Sequence, residues 1–456
     1  MAKPWATFGI DLHLEPAGPG LRRGLTDALR EAVRSGRLAP GTRLPSSRAL
    51  AADLGIARNT VAEAYAELVA EGRLTARQGS GTRVADRAVP RPPARRPTPR
   101  RPSGRPRYDL TPGVPDLASF PRAEWLRASR RALAAAPHDA LGYGDARGRP
   151  ELRTALADRL ARVRGVRADP GRIVICSGFA HGLHLLCDIL RARGARTLAV
   201  ESYGLAEHRD LIERTGLRTT PVPSDDADPG DAAAVLLNPA HQFPLGGVLR
   251  PERRAAVIDW ARRTGGLILE DDYDSEFRYD RQPVGAIQDL DPDHVVHLGT
   301  VSKSLAPGLR LGWMVLPPSL LPEVVEHGAV RSVGVLEQLT FAEFLTSGAH
   351  DRHVRAARLR YRRRRDALVD VLAERALDVR VTGIAAGLHA VLRLPPGTEQ
   401  SVVRAAAWQG LAVKGLAYFR HPAAEVAPLD ALVVGYGTPP DHAWTATLDA
   451  LCRALP

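Results

Sequence analysis

The chain has 456 residues, 44% apolar and 25% charged, with a formal net charge of +12, which points to two or three globular domains. No apolar run approaches the roughly 20 residues of a membrane span, and Met1-Ala2-Lys3-Pro4-Trp5 opens no signal-peptide core, so membrane-spanning and secreted classes are set aside. The three cysteines, Cys176, Cys187 and Cys452, have neither metal-ligand nor disulfide-framework spacing, so no metal site is expected and a reducing cytoplasm is the natural setting.

The charge is unevenly placed. Residues 1–86 carry 12 Lys+Arg against 9 Asp+Glu, residues 87–107 carry 8 Arg and no acid, and 108–456 hold the remaining +1. A basic N-terminal quarter on a nearly neutral body points to a polyanion bound at one end. Within 1–86, Leu21, Leu25, Leu29 and Val33 recur at helical spacing up to a stop at Gly36. Ser46 is a plausible N-cap for a second helix through Leu50 and Leu54, broken at Gly55. A third helix from about Arg58 places Val61, Tyr65, Leu68 and Val69 on one face and ends at Gly72. Two short helices joined by a glycine turn make a helix-turn-helix, and Arg73-Leu74 with Arg83-Val84 flank Gln78-Gly79-Ser80-Gly81 as a two-stranded wing.

The run LPSSRALAADLGIARNTVAEAYAELVAEGRLTARQGSGTRVA, residues 44–85, resembles the GntR family of winged helix-turn-helix regulators. The resemblance implies double-stranded DNA as partner. It implies that Arg48 contacts phosphates or bases, that Arg58, Asn59 and Thr60 enter the major groove, and that Gln78 and Gly79 sit at the wing tip near the minor groove. The chemistry agrees, since a helix N-terminus favours phosphate, Arg reads guanine and Asn reads adenine.

Residues 87–107 hold seven prolines and no apolar periodicity. They read as an extended linker spanning on the order of 65 Å, either a charged tether or a source of added phosphate contacts. From Tyr108 onward strands and helices alternate, the pattern of an α/β domain with a parallel sheet. Four apolar runs end in polar motifs: Ile173-Val174-Ile175 in Cys176-Ser177-Gly178-Phe179-Ala180, Val235-Leu236-Leu237 in Asn238-Pro239-Ala240-His241-Gln242, Leu267-Ile268-Leu269 in Glu270-Asp271-Asp272-Tyr273, and Val295-Val296-His297-Leu298 in Gly299-Thr300-Val301-Ser302-Lys303. Ligands of open α/β sheets bind outside the carboxyl ends of the strands, so four such motifs suggest one shared site. Their chemistry suits pyridoxal 5′-phosphate (PLP), which needs a lysine for its aldehyde, an acid for its ring nitrogen, and a helix N-terminus with an arginine for its phosphate. Of the three lysines, Lys3 lies in the tail and Lys414 lacks comparable polar neighbours, whereas Lys303 is followed by Arg310 seven residues on.

The segments 141–153, 238–246, 269–280, 302–312 and 386–389 together are similar to fold-type I aminotransferases. With the N-terminal domain, the chain resembles the MocR branch of GntR regulators. That implies a winged helix-turn-helix at 1–86, a linker at 87–107, and an aminotransferase-like domain at 108–456 with a mostly parallel sheet. A smaller C-terminal α+β subdomain would begin at about 350. It implies that Lys303 takes the cofactor aldehyde and Asp271 the ring nitrogen. Asn238 and Tyr273 would meet the phenolic oxygen, and Arg310, Ser302 and the backbone at Gly178-Phe179-Ala180 the phosphate. Tyr143 would reach the cofactor of a neighbouring subunit, which requires a homodimer, expected to be head-to-tail. Asp272 and Asp274 read as structural, and His241 and His389 as satisfied by local hydrogen bonds.

Three departures matter. Phe179-Ala180-His181 stands where the family has a hydroxyl for the phosphate. Glu201-Ser202-Tyr203-Gly204-Leu205 displaces the ring-stacking aromatic, leaving Tyr203 as the nearby candidate. No arginine for a substrate carboxylate stands beside Leu432-Val433-Val434-Gly435-Tyr436, and Arg420 is the nearest. The resulting expectation is a cytoplasmic regulator whose PLP domain senses an amino compound or PLP itself. A DNA-binding aminotransferase and a DNA reader with a vestigial scaffold are the alternatives.

Overall fold

The computed structural model describes residues 20–77, 81–86, 106–223, 228–279, 284–328 and 333–456. Gln78, Gly79 and residues 87–105 of the Arg/Pro segment lie outside them. The chain divides into two compact units, Met1–Gly104 and Arg105–Pro456. Among the described residues no helix is long and apolar enough to cross a membrane.

In the first unit, α1 (Leu21–Arg34), α2 (Ser47–Leu54) and α3 (Arg58–Ala70) enclose one core with the hairpin β1 (Leu74–Arg77) and β2 (Gly81–Val84). The Ser46 hydroxyl caps α2 by accepting the Ala49 amide at 3.1 Å. Gly55 closes α2 at φ +64°, a left-handed conformation that glycine adopts without a Cβ penalty. The Tyr65 hydroxyl donates to the Pro45 carbonyl at 3.1 Å and ties α3 to the entry of α2. Leu25, Leu29, Leu50, Val61 and Leu68 are buried as their spacing requires. Leu21 and Val69 are exposed instead. Leu21 is the first residue of α1, and Val69 falls at the edge of the stripe formed by Val61, Ala64, Tyr65 and Leu68.

The second unit is built on strands β3 (Tyr108–Asp109), β4 (Ile173–Cys176), β5 (Thr197–Glu201), β6 (Arg218–Val222), β7 (Ala234–Leu237), β8 (Leu267–Asp272), β9 (Val295–Thr300), β10 (Gly312–Val315), β11 (Arg380–Thr382), β12 (His389–Arg393), β13 (Leu411–Ala412), β14 (Lys414–Gly415) and β15 (Ala431–Gly435). Seven form one sheet in the order β4-β10-β9-β8-β7-β5-β6. All its neighbours are parallel except β10, which runs antiparallel to both β4 and β9. Strands β4 and β7 are buried at every position, as a sheet covered on both faces requires. The carboxyl ends of β4, β7, β8 and β9 therefore share one edge. A second, antiparallel sheet has the order β11-β12-β15-β14. β3 pairs with β13, and Leu110 joins the apolar cluster of the C-terminal layer. The first residues of the unit thus pack with its last hundred.

β10 lies where the segments at Gly178 and Gly299 converge. A Cβ on Gly312 would fall 2.9 Å from the Gly178 Cα and 2.9 Å from the Gly299 carbonyl oxygen, so only glycine lets these three backbones meet. Arg310, two residues before, is held at φ +51°, the only non-glycine in the left-handed region among the described residues. Such strain gathers where a side chain must be aimed. Gly312→Ala should lower stability by about 1–3 kcal/mol through overpacking. Gly308→Ala, with nothing within 4 Å of its added Cβ, should change it little. Urea unfolding of both variants checks this, and equal losses would contradict it.

Candidate functional site

The first unit sorts its arginines by partner. Arg30, Arg34 and Arg73 are paired with Glu71, Glu31 and Glu71. Arg48, in the first turn of α2, and Arg58, at the start of α3, are exposed and make no ion pair among the described residues. Asn59 beside Arg58 is exposed and Thr60 half-buried. Ala57 offers no side-chain cap and its carbonyl accepts the Thr60 amide at 3.1 Å, which leaves the Arg58 and Asn59 amides open to an anion.

In the second unit the shared strand edge opens on a cavity of about 260 Å³. Asn238 after β7, Asp271 in β8, Tyr273 after β8, Ser302 and Lys303 after β9, Phe179 after β4, and Tyr203 all line it. Gly178, Ala180 and Arg310 do not line it. They lie beside it at the N-terminus of the helix Phe179–Ala192, where a Cβ on Gly178 would come 4.0 Å from an Arg310 guanidinium nitrogen. The Ser302 hydroxyl is 2.8 Å from the Thr300 hydroxyl, and its amide donates to that same oxygen at 3.1 Å. Tyr143 is fully exposed and stands away from the cavity lining.

Hydrogen bonds within the site leave specific atoms free. The Lys303 ammonium donates to the Gly113 carbonyl at 2.7 Å. Asp271 Oδ2 accepts the Asn238 amide at 2.9 Å, while Asp271 Oδ1 is buried with no partner. Asn238 therefore orients the carboxyl. Tyr273 places its hydroxyl 3.2 Å from His241 Nδ1, which is also 2.9 Å from Asp274 Oδ2. The His389 Nε2 donates to the Pro244 carbonyl at 3.0 Å. His241, Asp274 and His389 bring ligand-type atoms within 4.8 Å of one another, the first two through their hydrogen bond and the two imidazoles through ring contact. Asp272 pairs with Arg164 at 2.8 Å, a structural role.

Burial sets the proton affinities. It pushes the Asp271 carboxyl up to about 8 against the pull of the Asn238 amide and the Lys303 charge. It lowers the Lys303 ammonium from its usual value, with Asp271 and Asp274 opposing. A lysine shifted this way reaches its neutral, nucleophilic form more easily. Burial also pushes Glu201 up to about 7, countered by the Gln242 amide. His208, whose ring lies 4.7 Å from that of Phe179, falls to about 4 and stays neutral.

Several lining residues were not anticipated. Gly113, Glu207 and His208 reach the cavity from a loop and a helix that carry no strand-end signal, whereas Glu201 does so from the carboxyl end of β5, after the apolar run Leu198-Ala199-Val200. Lys414 also lines it, which corrects the reading that it lacks polar surroundings. The run Leu411-Ala412-Val413 before it is one more apolar stretch ending in a polar residue, the signal that could have found it. Arg420 does not line the cavity, because its guanidinium is turned to the carbonyls of Ala424 and Val426. Tyr203 is buried against Phe243 and Phe419 with its hydroxyl unpartnered.

Residues 21–84 match the family model of bacterial regulatory proteins, gntR family, and residues 108–424 that of aminotransferase class I and II. The chain is 35% identical to the HTH-type pyridoxine biosynthesis transcriptional regulator PdxR of Corynebacterium glutamicum, over 90% of this chain and 91% of that one. It is 32% identical to the HTH-type transcriptional regulator TauR of Rhodobacter capsulatus, over 93% and 94%. Among solved structures, an archaeal alanine:glyoxylate aminotransferase superposes with a TM-score of 0.67 at 23% identity, over 76% of this chain and 89% of that one. The α-aminoadipate aminotransferase LysN of Thermus thermophilus gives 0.66 at 23%, over 76% and 91%. These two likenesses concern the fold alone.

The raised Asp271 carboxyl has a stability consequence with a fixed sign. A folded-state affinity above that of an unfolded aspartate means the stabilisation is complete below about pH 4 and lost as pH rises toward 8. Asp271→Asn cannot ionise. Without added ligand, its melting temperature should therefore gain on that of the unsubstituted chain between about pH 5 and pH 9. A difference that stays flat across that range in thermal denaturation would show an ordinary carboxylate.

Proposed function

The chain belongs to the GntR family of bacterial regulatory proteins, in the MocR/PdxR-type branch with an aminotransferase-like domain, and on that premise we propose that it holds PLP on Lys303 and uses it to sense a small molecule. One observation carries this reading: adjacent strands β8 and β9 lead to a buried carboxyl oxygen without a partner and to the half-buried Lys303 amine, around one cavity. The donor set fits the cofactor. Lys303 would take the aldehyde and Asp271 Oδ1 the ring nitrogen. Tyr273, with Asn238 beside it, would face the phenolic oxygen. Ser302, Arg310 and the helix start at Gly178-Phe179-Ala180 would hold the phosphate. When bound, PLP supplies a carbonyl that captures amines and a ring that accepts electrons.

The sensed molecule is PLP itself or an amino compound. The relative named as a pyridoxine biosynthesis regulator supports the former, and a second lysine ammonium in the cavity, that of Lys414, supports the latter. Amino-acid turnover is the lesser reading. Arg420, the arginine nearest the last strand in sequence, and Arg209, in the cavity lining, are occupied by backbone carbonyls. Exposed Leu126, Leu133, Leu141 and Tyr143 suit a face covered by a second copy, consistent with a head-to-tail homodimer whose winged helices read paired half-sites. Residues 1–86 then act as the DNA reader, 87–107 as the linker and 108–456 as the sensor. Free Cys176 and Cys187, both buried, accord with a cytoplasmic setting.

Incubation with PLP and trapping with borohydride should leave the pyridoxyl group on the peptide containing Lys303. An adduct on the Lys414 peptide, or none, would overturn the cofactor assignment. Arg58→Ala should weaken operator binding by about 1–3 kcal/mol with the cofactor absorbance unchanged. Loss of both signals would mean that reader and sensor are not separable.

A further inference from the structure

The cavity contains more cation than cofactor capture uses. Only three of the 63 basic residues are lysines, and two of those three, Lys303 and Lys414, line the same cavity. Lys414 sits on β14, in the four-stranded sheet, and its ammonium rests 3.9 Å from the centre of the Tyr418 ring. That ammonium makes no ion pair or hydrogen bond among the described residues. Glu207, the acid on that wall, instead accepts the Tyr418 hydroxyl at 3.3 Å, so it orients the ring rather than neutralising the amine. Arg209, the third cation of the lining, is committed to the carbonyls of Gly204 and Phe419. An ammonium lodged on an aromatic face with its donors open is poised for an anion.

We propose that Lys414 is the anion-recognising residue of the effector site, and that the effector is an amino acid whose carboxylate pairs with the Lys414 ammonium while its amine is directed toward Lys303. The choice of an amino compound rests on the sensor reading above; the anion site rests on Lys414 and Tyr418 alone. The two amines belong to different sheets, since Lys303 follows β9 and Lys414 lies in β14. A ligand with both ends spans the two layers, and a bare amine does not.

The test titrates the full-length, PLP-loaded protein by calorimetry with unbranched ω-amino acids and with alkylamines of matching length. The amino acid of best-fitting length should bind about tenfold or more tightly than its matched amine. Lys414→Gln should erase that preference without weakening the amine, and Lys414→Arg should keep most of it. Preference retained in Lys414→Gln, or absent from the unsubstituted protein, would overturn the proposal. With so few lysines, acetylation read by peptide mass spectrometry gives a second measure. The same ω-amino acids should slow acetylation of Lys414, and the amines should not. That measurement also runs on cofactor-free protein. If borohydride places no adduct on Lys303, the sensor reading fails by itself, and protection of Lys414 still decides the anion site; no protection there overturns it.

Discussion

Burying an amine and a carboxyl at the ends of two neighbouring strands is the constraint on which the large unit depends. A buried charge is costly unless paired, and here each group is driven toward its neutral form, Asp271 upward and Lys303 downward. The Asn238 amide satisfies one oxygen of Asp271 and leaves the other bare. An unsatisfied buried acceptor costs about 1–3 kcal/mol, which a cationic ring nitrogen placed there would recover. The parallel strands supply the geometry: β7, β8 and β9 point the same way, so residues that follow each of them meet without any long-range coincidence.

This is why so much of the site was legible in sequence. Each of Asn238, Asp271 and Lys303 follows or ends an apolar run, and strand direction does the rest. The antiparallel insertion of β10 between β4 and β9 was not legible, because Gly312-Trp313-Met314-Val315 has the same apolar character as a parallel strand. Nor was the pairing of β3 with β13, a two-residue contact between segments some 300 residues apart. His208 escaped notice because its helix, Ala206–Arg214, is mostly polar, and only packing beside Phe179 brings its ring to the cavity. Lys414 has only apolar residues and glycine directly beside it in sequence, and its surroundings come from Tyr418 four residues on and from elements far away in the chain.

The small unit was read more completely for a different reason. Its elements are short and local, and Ser46 and Gly55 fix the ends of α2 without help from elsewhere. What sequence alone left open was which arginines are spoken for. Arg30 looks no different from Arg58 in composition, but Arg30 is matched by Glu71 across the α1–α3 contact. The net charge of the unit therefore understates the charge open at the start of α3, because Arg30, Arg34 and Arg73 are matched by acids while Arg58 makes no ion pair among the described residues. Phosphate attraction depends on where unneutralised charge lies.

A sensor must bind its ligand differently in two arrangements, since equal affinity shifts nothing. A group held wholly by one sheet would satisfy its contacts in any arrangement of the other. The cavity is not built that way. Its floor comes from the seven-stranded sheet, while His389 and Lys414 come from the antiparallel sheet, and Tyr418 follows on from the latter. A ligand anchored at both Lys303 and Lys414 would contribute its full free energy only at one spacing of the two layers, and that dependence on spacing would turn occupancy into a mechanical bias within the unit.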